Sequence, residues 1–298
     1  MQTDFALKTH HLKKYFGPIH AVEEVSLCVR PGQVYGFLGP NGAGKTTTIG
    51  MILGLLHPTS GSVALFGEPV TPAQTRPLRR VGSLVGAPAL VPYLSARQNL
   101  ELLARLIPDL PAGRIEETLE RVGLKEAASR KSGQFSTGMK QRLGLGMSLL
   151  HGPELLILDE PTNGMDPAGM REIRTLLREL AGKGVTIFLS SHLLHEVEQV
   201  CDRVAVLKRG LIVAEGEVKD LLGEKDLVRV RVAHPGQAAA LLQNLPGAVD
   251  IHTNGAYLTV SGVTSQVVLG HLASHGVFPS EVTNTRPDLE SIFIELTN

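Results

Sequence analysis

Gly39-Pro40-Asn41-Gly42-Ala43-Gly44-Lys45-Thr46 fits the pattern G-x-x-x-x-G-K-[ST]. The apolar run at 33–38 (QVYGFL) precedes it, and a helical pattern from about 45 to 55 follows. Strand, glycine-rich turn and helix is the order that lets backbone amides point inward at phosphate oxygens. The first helical turn then adds its positive dipole end. In that arrangement Gly39, Pro40, Asn41, Gly42, Ala43 and Gly44 form a cradle continued by Thr47. Lys45 reaches the β- and γ-phosphates, and the Thr46 hydroxyl ligates Mg²⁺. The fixed positions of this pattern recur by chance in about one chain in a hundred of this size, and the flanking strand and helix make coincidence rarer.

Downstream, the apolar run at 155–158 (LLIL) ends in Asp159-Glu160. A buried strand would deliver Asp159 to its carboxyl edge to hold the Mg²⁺ shell. Glu160, following at once, would polarise an attacking water, the positioning task that phosphoryl transfer leaves to the protein. Similar runs occur at 80–85, 185–189 (VTIFL) and 204–207 (VAVL). Helical spacing is found at 96–106, 113–122, 137–150, 167–181 and 192–200. Continuous apolar strands between helices predict an α/β fold with a mainly parallel sheet covered on both faces. The stretch at 93–133 has little strand character and, with the helix after it to 150, reads as a helical insert.

With these motifs in place, the chain resembles the nucleotide-binding subunits of ABC transporters. Phe135-Ser136-Thr137-Gly138-Met139-Lys140-Gln141-Arg142 is similar to the family's signature motif, LSGGQ followed by a basic segment. Phe stands for Leu, Thr for the first Gly and Met for Gln, while Ser136 and Gly138 are kept. Pro161-Thr162-Asn163-Gly164-Met165-Asp166 resembles the D-loop, and Ser190-Ser191-His192 the H-loop. Tyr15, with Phe16 as the fallback, stands where the family places an adenine-stacking aromatic. The resemblance covers about residues 4–222. It implies a P-loop NTPase of ABC type with an antiparallel β subdomain, using ATP and Mg²⁺. Glu160 and His192 would be catalytic, His192 through the γ-phosphate and the attacking water. Tyr15 and residues 39–47 would bind one nucleotide, and Thr46 and Asp159 the metal. Ser136, Thr137, Gly138 and Asp166 would meet nucleotide or the interface in a head-to-tail pair of chains, most simply a homodimer. Asp166 also reads as a helix cap before Pro167.

One position departs from the pattern. The family usually places Gln, or in some exporters Glu, after the strand at 81–85, to contact Mg²⁺ and water. Here that position is Gly86, followed by Ala87-Pro88, and no Gln or Glu lies between Val81 and Val91. The next amide, Gln98, falls in a helix start.

Composition limits the function. The chain has 298 residues with 29 Lys+Arg and 29 Asp+Glu, so a strongly basic nucleic-acid binder is disfavoured. Cys28 and Cys201 are too few and too distant for a disulfide framework. No run reaches the roughly 18–20 apolar residues of a spanning helix, and the opening MQTDFALKTHHLKKYF has no apolar stretch. The expected location is therefore cytoplasmic, peripheral on the inner face of the cell membrane, with a separate permease as partner. The helical insert is where the resemblance places the permease's contact. The signature together with the segment at 288–296 (DLESIFIEL) looks like subunits of drug, bacitracin and lantibiotic exporters. The competing reading is a soluble ABC ATPase acting on ribosome or DNA. Such relatives usually carry two cassettes, coiled coils or zinc motifs, which this sequence lacks. Beyond about Gly223 the pattern changes to strand 227–233, helix 237–245, strand 248–253, strand 256–261, helix 264–275, strand 277–283 and helix 287–296. That predicts a ferredoxin-like accessory domain at 224–298, after an ATPase domain at 1–222.

Overall fold

The computed structural model describes residues 4–222 and 227–285. Apolar runs become the central strands β3 (Val34–Leu38), β7 (Leu155–Asp159) and β8 (Thr186–Ser191), in which every residue is buried. With β6 (Val81–Leu84) and β9 (Arg203–Lys208) they form a parallel array. The remaining strands are β1 (Leu7–Phe16), β2 (Ile19–Val29), β4 (Ser60–Leu65), β5 (Glu68–Pro69) and β10 (Leu211–Glu217). The ten-stranded order is β5-β4-β1-β2-β10-β9-β3-β8-β7-β6. Pairings of β1 with β2 and β4, of β4 with β5, and of β9 with β10 are antiparallel. This antiparallel arm was not legible strand by strand. In β1 the in-out alternation breaks where the register shifts between Thr9 and Leu12, and His11 takes φ 44°.

Helices α1 (Lys45–Ile52), α2 (Ala96–Ala104), α3 (Arg114–Arg121), α4 (Thr137–Leu149), α5 (Pro167–Gly182) and α6 (Leu194–Val200) complete the first of two compact units, residues 1–218 and 219–298. Helix α1 (KTTTIGMI) is a poor intrinsic helix former, with three β-branched threonines and a glycine. Packing forms it: Ile49, Met51 and Ile52 are buried in the core. In that core the Phe188 ring lies 5.8 Å from Tyr35 and 5.5 Å from Phe37, centroid to centroid. Each such burial stabilises the fold by about 1.5–3 kcal/mol. The insert contributes α2, α3 and α4, which pack on one another.

After α7 (Val218–Leu222), the second unit runs β11 (Leu227–Arg231), α8 (Pro235–Gln243), β12 (Ile251–Asn254), β13 (Tyr257–Ser261), α9 (Ser265–Ser274) and β14 (Glu281–Thr285). The sheet order is β12-β13-β11-β14, with every pairing antiparallel. Alternation in β11 sends Val228 and Val230 into a core with Leu242, Leu258, Val260 and Leu272, while Arg229 and Arg231 face out. Strands β12 and β14 start later than their sequence pattern suggests. The Ala248 amide turns back to Leu245 just beyond α8, and the Val277 amide turns back to Leu272 and closes the end of α9. The helix expected at 287–296 lies outside the described residues. The two units divide between Val218 and Lys219, a few residues before the boundary expected near Gly223. Among the described residues no helix is long and apolar enough to cross a membrane.

Candidate active site

Strand order places the carboxyl ends of β3, β7 and β8 side by side, and the nominated residues cluster there. The loop after β3 is clamped between β9 and β2. A Cβ at Gly39 would lie 2.5 Å from the Leu207 carbonyl oxygen, and one at Gly44 would lie 2.4 Å from that of Ala21. Gly44 also holds φ 107°, so only glycine suits either place. The Ala43 carbonyl accepts from Gly210 N–H at 2.9 Å. Gly44 then caps α1 without any side-chain acceptor for its first amides.

Lys45 is 6% exposed and curls back over the loop. Its Nζ donates to the Gly39 carbonyl at 2.7 Å and lies 3.2 Å from Glu160 Oε1. Glu160 Oε2 lies 2.7 Å from His192 Nδ1. The Thr46 hydroxyl donates to Asp159 Oδ2 at 2.8 Å. Asp159 Oδ1 accepts from the Ser190 hydroxyl at 2.5 Å. His192 itself precedes α6 rather than lying inside it, in the turn between β8 and the helix. The cleft above this cluster is lined by the loop from Pro40 to Thr47 together with Glu160, Asn163 and His192. Its donors are hard oxygens and a cradle of amides beside one buried cation, a set that fits a magnesium-bound polyphosphate. Asn163 and Ser190 stand in the D-loop and H-loop likenesses but were not among the expected site residues. Asn163 N–H bonds the Glu160 carbonyl at 3.1 Å, a turn that carries it to the rim.

Other nominated residues stand apart from this cleft. Ser136 caps α4, its Oγ accepting from Met139 N–H at 3.3 Å, with Thr137 and Gly138 in the first turn. Their neighbours are Met165 and Gly164. Asp166 caps α5, its Oδ1 accepting from Gly169 N–H at 2.8 Å. Tyr15 stacks on His20, centroids 4.1 Å apart and rings 18° from parallel, and its hydroxyl donates to Glu23 at 3.1 Å. Desolvation, with the Glu23 carboxylate beside it, holds the Tyr15 hydroxyl above the ordinary tyrosine range. The His20 hydrogen bond lowers the Glu23 carboxyl. Gly86 sits at φ 65° with nothing within 4 Å of where a Cβ would be. Gln98 cannot serve in its place. Its side-chain oxygen accepts from Ser95 N–H at 2.9 Å while Ser95 Oγ accepts from Gln98 N–H at 3.1 Å, a closed capping box.

Compared with known proteins, the chain is 40% identical over 295 residues to a bacitracin transport ATP-binding protein of Bacillus licheniformis, covering 97% of this chain and 96% of that one. The chain belongs to the ABC transporter family. The family model described as ABC transporter matches residues 22–163. A daunorubicin resistance ATP-binding protein of Streptomyces coeruleorubidus is 36% identical, over 99% of this chain and 96% of the relative. Among solved structures, a dimeric post-hydrolysis state of an ATP-binding cassette bound to ADP and Pi aligns with TM-score 0.65 and 26% identity, over 72% of this chain and 99% of that one. This ABC transporter chain is therefore an ATP-binding cassette with ATPase chemistry, and the expected fold of its first unit agrees with the solved cassettes.

Proposed function

We propose that the chain is the ATP-hydrolysing motor subunit of an exporter, acting with a separate membrane permease from the cytoplasmic face. The observation that carries the reading is the Lys45–Glu160–His192 chain of contacts above the loop. It joins the residue suited to a phosphate's charge directly to the residue suited to orienting water. On this reading the β- and γ-phosphates replace Glu160 as partner of Lys45. Glu160 then turns to the attacking water, and His192 holds the γ-phosphate side. Thr46 and Asp159 would hold Mg²⁺, which supplies charge neutralisation of the phosphates when bound. Tyr15 is the aromatic that adenine would stack on, and in this structure it stacks on His20.

The capped start of α4 lies outside the cleft, so Ser136, Thr137 and Gly138 reach a nucleotide only from a second cassette. A solved relative is dimeric, which favours the head-to-tail pairing. Likeness to a bacitracin transport and a daunorubicin resistance ATP-binding protein along nearly the whole chain supports export of a drug, peptide antibiotic or lipid. The second unit, with its β-α-β-β-α-β order, we infer to be a ferredoxin-like accessory domain that steadies the pair. Purification from membranes tests the motor reading: recovery with a polytopic permease supports it, and recovery on ribosomes or DNA overturns it.

A further inference from the structure

Ser190 occupies the middle of the large sheet, in register with Phe37 on one side and Asp159 on the other. It is fully buried. It follows the apolar run Ile187, Phe188 and Leu189 and precedes Ser191 in β8, all buried, and at such a place an apolar side chain would be the ordinary choice. Instead its hydroxyl makes two bonds at once. It donates to Asp159 Oδ1 at 2.5 Å and accepts from Glu160 N–H at 3.1 Å. The Ser190 carbonyl takes the same N–H at 3.3 Å. Glu160 holds φ 52°, the left-handed region that a non-glycine residue enters only when its surroundings compel it.

These contacts have a common consequence. With Oδ1 of Asp159 fixed by Ser190, Oδ2 is the oxygen left to face Thr46, and it does so at 2.8 Å. The carboxylate plane is thereby set toward the metal position. The forked bond to Glu160 N–H holds the unusual backbone turn that sends Glu160 into the cleft beside Lys45. We propose that Ser190 is a positioning residue for the hydrolysis site, one hydroxyl that orients both the metal-holding carboxylate and the water-orienting one. The inference rests on the phosphate-site reading above.

The test compares Ser190→Ala and Ser190→Thr with the native full chain. Three quantities are measured: nucleotide affinity without divalent cation, the Mg²⁺ concentration for half-maximal turnover, and Mn²⁺ binding with a non-hydrolysable ATP analogue by electron paramagnetic resonance. Losing a charge-assisted hydrogen bond is expected to raise the Mg²⁺ midpoint about tenfold and to weaken Mn²⁺ by a similar factor. kcat at saturating Mg²⁺ falls about tenfold with the Glu160 turn loosened, while metal-free nucleotide affinity holds within about twofold. Threonine, which keeps the hydroxyl, restores the midpoint. Native metal midpoints and kcat in the folded alanine chain overturn the proposal. Should that chain not fold, Ser190→Cys fills the position with a slightly larger side chain and a weak donor, and native midpoints there overturn it equally. If the native chain shows no Mg²⁺ dependence at all, it is the phosphate-site reading that fails.

Discussion

Two helix N-termini in this cassette look alike in sequence terms, each opening after a loop that contains glycine or serine, yet they are finished differently. At α1 the residue before the helix is Gly44, which offers no side-chain acceptor, so the first-turn amides stay open toward the cleft. At α4 the Ser136 hydroxyl already accepts from Met139 N–H. An uncapped helix start is a strong anion site, because both the unsatisfied amides and the dipole face the ligand. A capped one is partly satisfied and offers less. The α1 end also has Lys45, Thr46, Asp159 and Glu160 gathered around it, whereas the neighbours of α4's first turn are Met165 and Gly164. One end is a complete grip and the other half of one, which is how a site shared between two chains would be divided.

Breaking the complete grip has the largest expected effects. Glu160→Gln keeps the shape and one acceptor oxygen but loses the charge that orients water. Steady-state turnover should fall by about 10²–10⁴-fold while equilibrium ATP binding stays intact. Persistence near the native rate would remove Glu160 from its role. Lys45→Ala strikes binding itself. With its charge-assisted contact to phosphate gone, nucleotide affinity measured by fluorescence titration should drop about tenfold to a hundredfold. An unchanged affinity would show that the amides alone carry the phosphates.

Breaking the half grip separates the two ends. Ser136→Ala removes a cap worth about 1 kcal/mol, a modest drop in melting temperature. Nucleotide binding by the single chain should stay native, while turnover, which needs a second cassette on this reading, falls about tenfold. Loss of binding in the isolated chain would place Ser136 in its own cleft instead.

How much of this was legible differs by region for physical reasons. β3, β7 and β8 announced themselves because strands covered on both faces are mostly apolar, and each apolar run ended where polar residues began. The convergence of Lys45, Asp159, Glu160 and His192 then follows from strand order alone. The antiparallel arm was hidden by the bulge around His10 and His11 and by the half-exposed β10 (LIVAEGE). Ser190 was hidden by its neighbours. It read as the strand end that opens the H-loop likeness, and only the register of β7 with β8 sets its hydroxyl against Asp159. Asn163 escaped because a turn, rather than spacing along an element, brings it to the rim.

The smallest effect is expected at Gly86, and it sharpens what the complete grip contains. Relatives of this family usually have Gln or Glu there, and Gln98 is committed to its capping box. Either side chain has room, since nothing lies within 4 Å of the added Cβ. The cost is conformational: at φ 65° a non-glycine residue loses about 1 kcal/mol or more. Mg²⁺ ordinarily keeps several waters, so water can fill the place of an absent side-chain ligand. Gly86→Gln and Gly86→Glu should therefore lower the melting temperature slightly and shift the Mg²⁺ midpoint of turnover downward by about threefold, within the range of one added weak ligand. Because the loop leads from β6 toward the helical insert, where permease contact is expected, transport-coupled turnover should change more than turnover of the isolated chain. Identical rates and Mg²⁺ midpoints in all three proteins would mean that Ser190, Asp159 and Thr46 define the metal side of this site without help from the loop after β6.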